Sequence, residues 1–93
     1  MMDKQKLEEL FEEKYEKELE MTVGEWLENA PETEDEAYTR LNEIDRELNR
    51  TYDQWFEAVG EEKDQLEEYR EKLKAEYNLL EELFGLEAKD KNW

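Results

Sequence analysis

The sequence has 93 residues, of which 30 are acidic, 13 are basic and none is histidine, so the formal net charge is −17. This length is enough for one domain with a modest core, and the charge opposes direct binding to DNA, RNA or an anionic membrane. Aromatic residues make up 12% of the chain and apolar residues recur at helical spacing, which distinguishes it from a disordered acidic tail.

The first predicted helix runs from about residue 3 to about residue 21, with Asp3 as its N-cap. One apolar stripe at helical spacing predicts that this helix packs a single face against a core. The stripe consists of Leu7, Leu10, Phe11, Tyr15 and Leu19.

A short helix is predicted next, over about residues 23–29. Thr22 and Glu25 have the spacing of a capping box at its start. It must end before Pro31, because proline cannot continue a helix. The segment forms an elbow between the first helix and the rest of the chain.

Two long helices are predicted over about residues 34–59 and 64–84. Thr33 with Glu36 marks the start of the first, and Gly60 offers it a C-terminal stop. Apolar residues recur every three or four positions in both, which predicts an antiparallel hairpin. These positions are Leu41, Ile44, Leu48, Tyr52, Trp55 and Val59, then Leu66, Tyr69, Leu73, Tyr77, Leu80 and Phe84.

The C-terminal end of the second long helix carries its own signal, since Gly85 followed by Leu86 has the pattern of a Schellman motif. Together the elements predict an all-α fold, a small three-helix bundle with the short helix as a lid. Residues 1–88 form a single acidic helical domain in this interpretation, and residues 89–93 form a frayed tail.

An alternative fold is one long helix over residues 34–84 that forms a dimeric coiled coil. Val59 and Leu66 are seven residues apart and keep one heptad register across Gly60. A glycine costs a helix interior only about 0.8–1.0 kcal/mol relative to alanine. The hairpin is favoured because charged residues interrupt the seam there and Asp64 supplies a new start signal.

The chemical inventory argues against an enzyme, because the chain has no His, Cys or Ser. Its carboxylates fall mainly on predicted exposed faces, where two neighbours would both ionise. The glycines are in the wrong places for an EF-hand loop, and di-iron sites need histidine. We therefore expect no catalytic residue, no metal site and no cofactor.

The negative charge is unevenly distributed along the sequence. Residues 8–36 contain 13 acidic residues and two basic ones, a net charge of −11. In the first helix Glu8, Glu12, Glu16 and Glu20 form a row of like charges four residues apart, which an isolated helix disfavours by about 0.2–0.5 kcal/mol per pair. Because stability alone would not select this row, it is a candidate binding surface.

Further acidic residues extend this candidate surface past the first helix. They are Glu25, Glu28, Glu32 and Asp35. Trp26 and Trp93 lie outside the long seams and are candidate anchor residues. Most other large aromatic residues are expected in the core. These are Tyr52, Trp55, Phe56, Tyr69 and Tyr77.

In composition and size the chain resembles the small acidic inhibitors carried by phages and mobile elements, which include DNA-mimic antirestriction proteins and anti-CRISPR proteins. The resemblance implies a binder of the basic nucleic-acid channel of a host nuclease and assigns no residue roles. The competing explanation of the row is a solvated face kept for solubility.

The leading hypothesis is a stoichiometric inhibitor that binds a basic protein surface on a nucleic-acid-processing protein, with no direct contact to nucleic acid or membrane. One alternative is a structural or adaptor coiled-coil protein. A second is an immunity protein for a basic toxin. The expected state is a monomer or homodimer in the cytoplasm, that of the host cell for a phage-encoded protein.

Overall fold

The structure, a computed structural model, describes residues 3–86 and shows helices and no strand within that range. The elements are α1 (Lys4–Leu10), a π-helical segment (Phe11–Tyr15), α2 (Glu16–Leu19), α3 (Val23–Leu27), α4 (Glu34–Glu57) and α5 (Gly60–Phe84). The first three form one continuous helix, called the N-terminal helix below. The predicted all-α bundle with an extra short helix is confirmed. The predicted tail 89–93 lies outside the described residues.

Local side-chain signals set several helix ends. The Asp3 carboxylate accepts hydrogen bonds of 3.1 Å from the backbone N–H groups of Gln5 and Lys6. Both bonds of the capping box between Thr22 and Glu25 are present. The first two helices are nevertheless shorter than predicted, because the N-terminal helix ends at residue 19 and α3 ends at residue 27.

The C-terminal end of α5 has the predicted Schellman geometry. Gly85 has a φ of 64°, in the left-handed region that glycine adopts without strain. The Leu86 N–H donates to the carbonyl of Glu81 at 3.0 Å, and the Leu86 side chain is buried. The motif therefore returns an apolar residue to the core directly after the helix ends.

The chain reverses direction between α4 and α5, so the continuous helix over residues 34–84 is not formed. Ala58 and Val59 are extended, and Gly60 begins α5 with a φ of 64°. The new helix starts four residues earlier than predicted. Glu61 and Glu62 lie in its first turn, where carboxylates interact favourably with the positive end of the helix dipole.

The N-terminal helix contains the π-helical segment because its apolar stripe recurs every four residues. In a regular α-helix each four-residue step rotates a side chain by about 40°, so such a stripe would drift around the helix. A single π-helical turn, which contains more residues than an α-helical turn, corrects this drift. Leu7, Phe11, Tyr15 and Leu19 are consequently all buried along one line.

The core lies between three helices, with α5 in the middle. α5 packs against α4 on one side and against the N-terminal helix on the other. The N-terminal helix is antiparallel to α5, because Tyr15 bonds to Glu82 whereas Glu20, further along the chain, pairs with Lys72.

The two long helices extend beyond the three-helix core. The N-terminal helix spans residues 4–19, about 24 Å, whereas α5 has 25 residues and is about 37 Å long. In the described part of the chain, the end of the hairpin where α4 passes into α5 therefore has no third helix against it. We call residues 51–69 the hairpin tip.

Candidate functional site

The charged row of the N-terminal helix is exposed, as a binding surface requires. Glu8, Glu12 and Glu16 each follow a buried stripe residue, so they occupy one flank of the helix. The π-helical segment keeps these carboxylates in line just as it aligns the buried stripe. Successive members are about 6 Å apart along the axis, and none of the three forms an ion pair within residues 3–86. We call these three residues the glutamate row.

The opposite flank of the N-terminal helix faces α5. There the Lys14 ammonium lies 3.6 Å from the Glu82 carboxylate. Glu18 lines a groove with Glu71 and Lys74 of α5.

The N-terminal helix carries four basic residues, and none of them interrupts the glutamate row. Lys4 precedes the row, Lys6 and Lys14 have the spacing of the opposite flank, and Lys17 follows the row's last member.

Glu20 does not continue the row, which corrects the prediction of four aligned glutamates. The residue has a φ of 55°, a left-handed conformation that ends the helix. Its carboxylate lies 2.9 Å from the Lys72 ammonium. The hydrogen bond from Lys72 lowers the pKa of Glu20. This carboxylate therefore holds the end of the N-terminal helix against α5.

The predicted acidic extension is exposed but only partly free. Glu25, Glu28, Glu32 and Asp35 all lie at the surface. The Glu25 carboxylate accepts bonds from the backbone N–H (3.3 Å) and hydroxyl (3.1 Å) of Thr22, so part of its hydrogen-bonding capacity is used by the cap. These residues add negative potential near the elbow without a lined-up arrangement like that of the glutamate row.

Trp26 is buried, so the expectation that it is an accessible anchor is wrong. Its exposed fraction is 6%, and its ring packs on Phe11 with 5.8 Å between centroids. The short helix α3 thus acts as a lid that places an indole into the core. The other candidate anchor, Trp93, lies outside the described residues.

Several acidic residues of α4 and α5 form ion pairs with neighbouring bases. The pairs Glu47–Arg50, Glu68–Lys72 and Glu71–Lys74 form as the sequence indicates. Arg40 lies one helical step from Glu36 but pairs elsewhere. It donates two bonds to Glu76 across the hairpin, at 2.7 and 2.9 Å, which raise the pKa of Arg40.

Glu36 instead supports the start of α4. Its carboxylate accepts a 2.8 Å bond from the N–H of Glu32, while its own N–H donates to the Thr33 hydroxyl at 3.2 Å. Thr33 is therefore the predicted N-cap, but the reciprocal bond of the capping box reaches one residue further back. The Glu36 carboxylate therefore binds backbone at the start of α4, while Arg40 binds Glu76 across the hairpin.

The hairpin tip exposes aromatic residues that the sequence places in the core. Tyr77 is buried as expected, but Tyr52, Phe56 and Tyr69 are exposed. After Leu48 the next buried residues are Thr51 on α4 and Ala58, which directly follows the helix. The sequence allows either Thr51 or Tyr52 to be the buried residue, since both lie one helical step from Leu48. A prediction based on apolar character alone chooses Tyr52.

A buried arginine explains why Thr51, and not Tyr52, faces the interior of the hairpin. Arg70 has an exposed fraction of 5% and donates to the Leu48 carbonyl and, at 2.7 Å, to the Thr51 hydroxyl. Its guanidinium also lies 5.7 Å from the centroid of the Tyr52 ring. The interior of the tip is thus satisfied by hydrogen bonds, and the aromatic side chains remain outside.

The grooves offer no convergent catalytic arrangement within residues 3–86. One of about 400 Å³ is lined by Tyr15 and Glu82 among others, but the Tyr15 hydroxyl already donates to Glu82 at 2.7 Å. Burial and this bond raise the pKa of Tyr15. Over the same residues no three carboxylates are placed to share a metal ion, and no helix has the length and apolar character to cross a membrane.

No family model, curated protein or solved structure matches the chain. The glutamate row and the hairpin tip are the two surfaces that the geometry distinguishes.

Proposed function

We propose that this protein is a stoichiometric inhibitor, without catalytic activity, that binds the basic nucleic-acid-binding surface of a nucleic-acid-processing protein such as a host nuclease. The observation that supports this most is the glutamate row. Three exposed carboxylates stand in line with no basic partner among residues 3–86, at intervals of about 6 Å, a spacing comparable in scale to phosphates along a nucleic-acid strand. An antirestriction or anti-CRISPR role belongs to this class.

The energetics of the row favour a binding role over a purely structural one. Each like-charged pair four residues apart costs an isolated helix about 0.2–0.5 kcal/mol. Elsewhere in the chain carboxylates hold helices together, as Glu76 does with Arg40. The row makes no such contact in the described residues, so a basic partner surface would both relieve its repulsion and match its charge.

Two other functions use different features of the molecule. A coiled-coil adaptor would need the seam containing Leu41 and Leu48, which the hairpin already buries, so the hairpin would have to open first. An immunity protein for a basic toxin would use the same glutamate row. It differs from the leading proposal only in what the partner does.

The proposal is tested by capture and competition. Immobilised protein is incubated with a bacterial lysate at about 50 mM salt, and bound proteins are eluted with duplex DNA or with about 500 mM salt. Under the proposal, nucleic-acid-binding proteins elute with either agent, because DNA and the glutamate row compete for one basic groove. Proteins that resist both eluents would contradict it.

Substitution then locates the contact on a captured and purified partner. The triple variant E8Q/E12Q/E16Q is expected to bind at least about tenfold more weakly, mainly through slower association. The control E18Q/E43Q/E71Q removes the same charge from exposed positions outside both the glutamate row and the hairpin tip and should change affinity less than about twofold. Equal losses in both variants would show a response to total charge and would refute a role for the row.

A further inference from the structure

The hairpin tip presents apolar side chains that the hairpin itself does not use. Phe56 is 68% exposed and Val59 is 80% exposed, and Tyr52 is 47% exposed. The rings of Tyr52 and Phe56 are stacked with 6.4 Å between centroids. Tyr52 and Phe56 lie one helical step apart on one side of α4, and Val59 lies in the extended link after the helix. We call these three residues the tip track. They expose on the order of 300–400 Å², the size of patch that is often functional on a monomer.

The tip track is exposed, but not because apolar side chains already occupy the interior of the hairpin tip. Thr51 and Arg70 occupy the inner positions, although apolar side chains would fill the same space without burying a charge. The hydrogen bonds from Arg70 to Leu48 and Thr51 fix which side of α4 faces α5. The tip is therefore arranged so that its most apolar line faces outwards.

The surroundings of the tip track indicate the charge of what covers it. Asp53, Glu57 and Glu61 are exposed beside it. Residues 51–69 contain seven acidic residues and one base, Lys63, whose ammonium lies over the Trp55 ring at 4.9 Å from the centroid. An apolar surface with this rim is complementary to an apolar pocket surrounded by basic residues.

We propose that the tip track is the apolar anchor of the interface and inserts into a pocket that is surrounded by Lys and Arg on a basic partner protein. The inference rests on the proposed function, since the same class of partner is meant. The tip track would add an apolar contact, which salt does not screen, to the electrostatic contact of the glutamate row, which salt weakens.

A second copy of the chain does not fit the tip track. Two tips would bring together two strongly acidic rims and would bury at most roughly 700 Å² between the tracks, below the ~1,200 Å² of stable interfaces.

The test uses two synthetic helical peptides of about 14 residues, one with lysine on one face and leucine on the other, and one with serine in place of leucine. Binding of each labelled peptide is measured by fluorescence anisotropy at about 150 mM salt. The Lys/Leu peptide is expected to bind wild-type protein at least about tenfold more tightly than the Lys/Ser peptide. The variant F56S/V59S should abolish that ratio. The control Y38S, which alters an exposed aromatic residue outside the tip, should preserve it.

The outcomes separate this inference from the proposed function. E8Q/E12Q/E16Q should leave the ratio unchanged, because the N-terminal helix that carries the row does not reach the hairpin tip. A ratio that survives F56S/V59S, with the fold intact by circular dichroism, overturns the anchor whatever the row does. A wild-type dimer that F56S/V59S dissociates, detected by light scattering, overturns it in favour of self-association. Loss of the ratio in F56S/V59S supports the anchor, and unchanged affinity of E8Q/E12Q/E16Q for a captured partner counts against the proposed function alone.

Discussion

Glu47 illustrates how a single carboxylate of this acidic chain stabilises the hairpin. It accepts hydrogen bonds from Arg50 on its own helix and from the Tyr69 hydroxyl on α5, the latter at 2.8 Å. The bonds from Arg50 and then from Tyr69 lower the pKa of Glu47 from 4.5 to about 2. The ionised form is therefore favoured in the folded state over the unfolded state.

We expect Glu47→Gln to lower the free energy of unfolding by about 0.5–1 kcal/mol at pH 7, the range of partly exposed ion pairs. Because the folded-state pKa is depressed, the contribution is complete above about pH 5 and is lost as the pH falls from 4.5 towards 2. Urea titrations of both proteins between pH 7 and pH 2 measure the difference. Glu67→Gln, outside this network, serves as the control. A difference for Glu47→Gln that stays constant over this range would contradict the assignment.

At the scale of elements, the features predictable from sequence are those decided within a few residues. Asp3, Thr22 and Gly85 mark helix ends because each cap needs only its own turn of chain. Which residues of α4 are buried beyond Leu48 could not be decided from local sequence alone. Positions 51 and 52 are equally compatible with helical spacing, and the choice depends on Arg70, which lies 19 residues beyond Thr51 in sequence.

The glutamate row was predictable in part for the same reason. Its spacing follows from sequence, so the exposed flank of Glu8, Glu12 and Glu16 is as expected. The left-handed turn at Glu20 and the burial of Trp26 depend on contacts with α5 and with Phe11. The hairpin tip is exposed because the N-terminal helix is too short to reach it, a relation between two helix lengths rather than a local pattern.

The π-helical segment predicts that the N-terminal helix tolerates the loss of one residue. Deleting Glu13 shortens the interval between Phe11 and Tyr15 from four residues to three, which restores the spacing of a regular α-helix. We expect the buried stripe to be preserved and the free energy of unfolding to change by less than about 1 kcal/mol, since a π-turn behaves as one inserted residue. Chemical denaturation followed by circular dichroism measures this change.

The control for that prediction is deletion of Asn42 in the regular helix α4. There a missing residue rotates everything that follows by about 100°, which removes Ile44 and Leu48 from the core at a cost of about 2–5 kcal/mol each. We expect this protein to unfold. If deletion of Glu13 were as destabilising, the π-helical segment would not be an accommodated insertion.

At the scale of the whole molecule, two electrostatic effects of opposite sign compete. The net charge of −17 opposes a compact state through self-repulsion, whereas ion pairs such as Arg40–Glu76, Lys72–Glu20 and Lys14–Glu82 connect the helices. Added salt screens both. Only the Arg40–Glu76 pair has a largely shielded carboxylate and two-point geometry, so the other pairs contribute little and repulsion is the larger effect.

We therefore expect the free energy of unfolding to rise when salt is increased from about 20 mM to about 500 mM. The variant E8K/E12K/E16K lowers the magnitude of the net charge to 11 and should be more stable than wild type at low salt and less responsive to added salt. Urea titrations at each salt concentration test both statements. A wild-type stability that falls with salt would mean that the inter-helix ion pairs outweigh the repulsion. The glutamate row would then no longer be a stability cost that binding to a basic partner relieves.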